Sequence, residues 1–224
     1  MTARLTRLRP ALLIVALIAS TLMVQRAAEN CAAAGGARVA VLPSIAFLET
    51  VALGYRAAVA DLAWLQAVQY YGEHRQGGND FSEFGHFVHA VNVLDPRFVH
   101  PSIFGAVVLA TEGRNLPGAL EVLRRGARAN PQSALFPFEM GFLIYVQGGD
   151  VRAAMRYLQL AAQKPGGRDR AQRFLAFMNR KLGRLETAWM LWDDLRRTTK
   201  DPGLRIVADE SCRRIEAALR KETR

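Results

Sequence analysis

At 224 residues, half of them hydrophobic, the chain is long enough for one well-buried core plus an appendage, and disorder over most of its length is excluded. Its formal charge of +10 is uneven: residues 1–34 carry four Arg against one acid, 35–163 ten basic against ten acidic residues, and 164–224 sixteen against nine. Two cysteines, Cys31 and Cys212, make neither a disulfide framework nor a metal site and read as unassigned thiols.

Arg4, Arg7 and Arg9 precede an apolar run from Pro10 to Val24, closed by Gln25 and Arg26. Charge, apolar block and polar flank in this order describe a signal peptide or an uncleaved signal anchor. Fifteen helical residues rise about 22 Å against a hydrocarbon core of about 30 Å, which favours a signal peptide. The following residues favour retention. Arg26 is badly placed for a cut after Ala28, Ala32 to Ala34 lie far from the apolar block, and Glu29 and Asn30 spoil a lipoprotein reading of Cys31. The expectation is a retained single-pass anchor over residues 10–26, with a cleaved signal peptide and a buried soluble helix as alternatives. Residues 1–9 then stay cytoplasmic under the positive-inside rule, and the remainder faces the outer, periplasmic side of the cytoplasmic membrane. Residues 27–43, rich in Ala and Gly, read as a linker.

Pro43-Ser44 is a helix start, with Ser44 able to cap exposed amides. From Ile45 to Tyr71 apolar residues recur at helical spacing, and Gly54-Tyr55 marks a break between two helices. The polar, Gly-containing stretch from Glu73 to Asp80 reads as an exposed, mobile loop, and a partner helix follows from Phe81 to Leu94. Further on, the sequence repeats itself. A slide of 34 residues carries Phe104 to Phe138, Leu109 to Leu143, Ala119 to Ala153, Leu123 to Tyr157, Ala127 to Ala161 and Pro131 to Pro165. A slide of 35 carries Gly148 to Gly183, Ala153 to Ala188 and Tyr157 to Trp192. Gly113 to Leu116, Gly148-Gly149 and Gly183 mark the turns; Pro117 suits a first helical position and Asp150 a cap. After Pro202-Gly203 a last helix places Leu204, Val207, Ile215 and Leu219 inward, with Arg205, Arg213, Arg214, Arg220 and Lys221 on its other face.

A period of this size, with small residues where helices touch and a Pro ending each unit, predicts an all-α helix–turn–helix solenoid of about four helix pairs over residues 44–202, with residues 203–224 as a basic capping helix. In Trp64, Ala67, Val68 and Tyr71, in Gly141, and in Ala119, Ala153 and Ala188, the chain resembles the tetratricopeptide repeat (TPR) family across about 140 residues. Gly54 to Gly72 is similar to a segment of bacterial membrane-anchored TPR proteins. The departures are the missing Trp in the repeats over residues 100–130, 131–164 and 165–201, and the insertions in the first repeat, which ends at Leu94, and in the last. The resemblance implies an architecture that holds partners. In that family the first helix of each repeat lines the concave face, which here puts Phe104 and Val108, then Phe138, Phe142 and Tyr145, then Arg173, Phe177, Arg180 and Lys181 on one surface. The expected result is an aromatic trough with a basic end, suited to an apolar or helical peptide and to carboxylates. Ordinary core or bare surface is the alternative, since one position of register moves these rings inward.

No phosphate loop, nucleophile elbow or Cys–His pattern points to an enzyme, and no cofactor is expected. Glu83, His86 and His89 share a helix face and could ligate a metal, with His74 and His100 nearby, but a packed or solvated face explains them better. Asp61, in an apolar run, reads as exposed or structurally paired. The leading expectation is a membrane-anchored adaptor or scaffold that holds a protein partner in an envelope complex such as a pilus or secretion system. A binder of anionic lipid or polymer through the basic last third is the alternative, and a metal-dependent enzyme ranks below both. Nucleic acid and a small-molecule substrate are not expected.

Overall fold

The structure, a computed structural model, describes residues 42–77, 81 and 83–222 and four isolated positions, 19, 22, 23 and 26. Two compact units divide the chain, Met1–Val41 and Leu42–Arg224. In the first, Ala19, Leu22, Met23 and Arg26 are helical and exposed. The Arg cluster, most of the apolar run, the linker and Cys31 lie outside the described residues. Among the described residues no helix is long and apolar enough to cross a membrane.

The described residues of the second unit form ten α-helices and no strand. These are α1 (Ile45–Val51), α2 (Arg56–Gly77), α3 (Phe84–Leu94), α4 (Val99–Thr111), α5 (Leu116–Ala129), α6 (Leu135–Leu143), α7 (Val151–Ala162), α8 (Arg168–Lys181), α9 (Leu185–Thr198) and α10 (Pro202–Glu222). Helix α6 runs on as a π-helix over Ile144–Gly148. From α2 onward each helix packs against the next in sequence. The described residues are all-α, as expected.

Local signals set several helix ends. Ser44 accepts from the Phe47 amide (3.3 Å) and starts α1, which ends where Leu53 and Gly54 take positive φ of 45° and 91°. Asp150 accepts from the Ala153 amide (2.9 Å), and Gly149 turns left-handed ahead of it at φ 69°. Asn115, not singled out from sequence, caps α5 by accepting from the Gly118 amide (2.9 Å), so that Pro117 falls at the second helical position. The expected loop from Glu73 is corrected, because α2 continues to Gly77. Its polar end is held by aromatic rings one turn back. His74 stacks on Tyr70 with ring centroids 3.8 Å apart, and Arg75 donates to the Tyr71 hydroxyl (3.1 Å). The partner helix begins at Phe84 rather than Phe81, although Phe81 is buried.

Core packing follows the order of the chain. One apolar cluster joins α4, α5 and α6 through Leu109, Leu123, Phe136 and Leu143. The next joins α6, α7 and α8 through Phe138, Leu158, Leu175 and Met178. A third joins α8, α9 and α10 through Ala176, Trp192, Leu195, Cys212 and Ile215. Helices approach closely where side chains are missing. A Cβ on Gly126 would lie 2.1 Å from the Phe136 ring, and one on Gly141 would lie 2.9 Å from the Ala154 carbonyl oxygen. In α10 the inward face is corrected: Ala208, Cys212 and Ile215 point in, while Val207 is exposed. Polar contacts tie the turns after α5, α7 and α9 to residues 30 to 34 positions earlier. Asn130 Nδ2 donates to the Pro96 carbonyl (2.9 Å), Lys164 to the Pro131 carbonyl, and the Thr199 hydroxyl to Asp169 (2.6 Å).

Candidate partner-binding groove

Helices α2, α4 and α6, the first members of three successive pairs, share an open apolar groove of about 500 Å³. Trp64 comes from α2, Val99, Ile103, Phe104 and Val107 from α4, and Leu135 from α6. Phe104 stands edge-on to Trp64 (5.7 Å between centroids) and to Tyr71 (5.2 Å) while remaining 37% exposed. A second apolar cup of about 350 Å³ is lined by Arg173, Phe174 and Phe177 of α8 and Trp192 of α9.

The residues expected from sequence divide between these two places and the core. Val108 is corrected to the interior, at 2% exposure. Pro101, Gly105 and Val108 follow one face of α4, and that face is pressed to α3, where a Cβ on Gly105 would lie 2.4 Å from a Val88 methyl. Val107 and Ile103 take the groove instead. Phe138 is likewise interior, stacked with Phe142 and edge-on to Phe174 (5.3 Å), with the Arg170 guanidinium 4.0 Å above its ring. Phe142 is half-buried between α6 and α8, edge-on to Phe174 (5.7 Å). The single aromatic trough is therefore two groups, one around Phe104 and one around Phe142, Tyr145 and Phe177.

Tyr145, Phe177 and Lys181 do come together. The Tyr145 and Phe177 rings meet edge-on at 6.1 Å, and Lys181 Nζ donates to the Tyr145 hydroxyl (2.9 Å). Tyr145 lies in the π-helical segment, a feature that recurs at functional positions in helices. On α8 the exposed side chains Arg170, Arg173, Phe177, Arg180 and Lys181 recur at three- and four-residue spacing, and so share a face. Phe174 and Trp192 were missed from sequence. The α8 spacing carries a signal for Phe174, whereas Trp192 reads as ordinary core.

Charge is arranged unevenly around this second cup. Arg170 pairs with Glu139 (3.3 Å), whose burial raises its carboxyl above the usual range while Arg170 pulls it down. Asp194 takes Arg168 (2.8 Å) and Gln172 (2.5 Å), and those hydrogen bonds hold its carboxyl low. Asp193 takes Arg196 (2.5 Å) and Arg197 (2.6 Å), to the same effect. Arg173 and Arg180 are exposed and form no ion pair among the described residues. Elsewhere in the basic last third, Arg213 pairs with Asp209 and Arg214 with Glu210, each one turn away on α10.

The histidines turn to separate partners. His86 lies 3.0 Å from Glu83, and His89 Nδ1 lies 3.0 Å from Arg125, with burial and that guanidinium lowering its pKa. His74 is taken up by Tyr70, and His100 is exposed at the groove. Among the described residues no three His, Cys, Asp or Glu side chains gather as metal ligands. Asp61 is exposed, and Arg56 pairs with Glu49 (2.9 Å) while donating to the Val93 carbonyl (2.8 Å). Cys212 is a buried thiol pushed up by desolvation. No protein-family model matches the chain, and no curated protein does either.

Proposed function

We propose that this chain is a TPR-like adaptor, tethered to the cytoplasmic membrane by residues 10–26, that holds a protein partner against the first helices of its repeats. The observation that carries this reading is the open apolar groove built jointly by α2, α4 and α6. A surface assembled from equivalent helices of successive pairs suits an extended or helical segment laid across them. Rings such as Phe104, kept in place by neighbouring rings yet still exposed, make rigid contact area at low entropic cost. The pairing of Arg196, Arg197, Arg213 and Arg214 with acids on their own helices favours this reading over one in which the last third binds an anionic polymer.

Photo-crosslinking in the native cell tests it, with the reactive group at His100, which is exposed at the groove, and a control at Arg156, which is exposed on α7. A discrete protein adduct from His100 alone supports the adaptor. The same diffuse adducts from both positions, or none from either, would remove it.

A further inference from the structure

We propose that the turn between α1 and α2 is a lipid-contact site, set into the headgroup region of the bilayer to which the chain is tethered. This rests on the tether reading above. Four large apolar side chains stand exposed here: Phe47 and Val51, one turn apart on α1, then Leu53 at 84% exposure and Tyr55 at 76%. The other face of α1 holds the helix to its unit, because Leu48 packs with Ala60, Val91 and Leu94. Leu53 is the sharpest sign. Its φ of 45° lies in the left-handed region, which Gly enters without strain and a bulky side chain does not. So exposed a side chain adds little packing to its own unit, and strain of this kind points to a use outside it.

The polar groups beside the turn have partners within the chain, as an apolar medium requires. The Thr50 hydroxyl donates to the Ala46 carbonyl (2.8 Å), and the Tyr55 amide donates to the Ala52 carbonyl (2.6 Å). From Ile45 to Arg56 the charged residues are Glu49 and Arg56, which pair with each other. Place in the chain favours lipid over a protein as the occupant. Residues 27–43 join the apolar run to α1, and they span at most about 60 Å even fully extended. The turn is therefore the first exposed apolar surface of the folded unit within reach of the bilayer. A tether makes that encounter intramolecular, so a few apolar side chains suffice where they would not hold a free protein. Tyr suits the headgroup level, with its ring towards the acyl chains and its hydroxyl in water. These side chains line neither the groove nor the cup, so lipid contact leaves both open to a partner.

The test is spin-label accessibility on the full chain in vesicles of phosphatidylethanolamine and phosphatidylglycerol. In a C31S/C212A background a nitroxide is placed at Leu53→Cys, at Leu17→Cys in the apolar run, or at Arg156→Cys on α7. Oxygen concentrates in lipid and a neutral nickel chelate in water. The oxygen-to-chelate collision ratio at position 53 should exceed that at position 156 several-fold. Adding F47D/Y55D changes only exposed positions, should leave far-UV ellipticity unaltered, and should bring the ratio at 53 down to that at 156. An unaltered ratio would overturn the role of this patch. Lipid access at 17 with water access at 53 would overturn the contact and leave the tether standing. Water access at both would overturn both. A label at 53 shielded from oxygen and chelate alike would mean that protein covers the turn, and would overturn the choice of lipid.

Discussion

Gly126 stands where no side chain fits, with Phe136 filling the space a Cβ would need. Gly126→Ala must push a fully buried ring aside, and should lower stability by about 1–3 kcal/mol in urea unfolding. A change near zero would mean that α5 and α6 are free to separate there. Glu139 is a second residue with a measurable signature. Burial raises its carboxyl and Arg170 opposes this. A carboxyl whose folded pKa exceeds its unfolded value favours folding most below the unfolded pKa, and that contribution is lost as pH rises through the folded value. Glu139→Gln cannot ionise, so its stability should gain on the wild type as pH is raised from about 4 to about 7. Urea midpoints of the two proteins across that range check this. A difference moving the other way would mean that Arg170, rather than burial, governs the carboxyl.

Among the elements, helix starts and stops depend on short polar contacts that act one at a time. Asn115→Ala and Asp150→Ala each remove a cap, and each should cost about 1 kcal/mol. Those starts were partly legible in the sequence: Asp150 after Gly148-Gly149 and Ser44 after Pro43 were read directly, as was the break at Gly54. The end of α2 was not, because its polar residues suggested a loop while Tyr70 and Tyr71, one turn earlier, hold His74 and Arg75 in the helix. The groove residues on α6 were harder still. Leu135–Leu143 carries one charged residue, Glu139, which is itself buried, and all but Leu135 and Phe142 are buried. Periodicity alone therefore had no polar face with which to separate Phe138, which faces the core, from Phe142. On α4 the same limit applied to Val107 and Val108, adjacent valines that the approach of Gly105 to Val88 turns to different sides. The α8 stripe was legible because its charged residues mark the outside.

In the unit Leu42–Arg224, a stack in which each helix touches chiefly its neighbours loses stability from its ends. Removing α10 would expose Trp192, Leu195 and Ala176, which it covers. A chain stopped after Asp201 should therefore melt at lower temperature with a broader transition and bind a hydrophobic dye. An unchanged melt would mean that α10 is not a cap. Residues Leu42–Arg224 form a unit of their own, so this part expressed alone should keep its helical far-UV signal.

Two exposed apolar patches among the described residues separate the central claim from its rival. Phe177 is exposed on α8 and lines the cup, whereas Leu62, Leu65 and Val68 are exposed on α2 and line neither the cup nor the groove. The direct measurement is quantitative comparison of proteins retained by the full chain from its native cells, for wild type, Phe177→Glu and Leu62→Glu. A partner retained by wild type and Leu62→Glu but lost by Phe177→Glu is the expected result. A partner lost by Leu62→Glu and kept by Phe177→Glu would place binding on the outer face of α2 and contradict the assignment of the first-helix face.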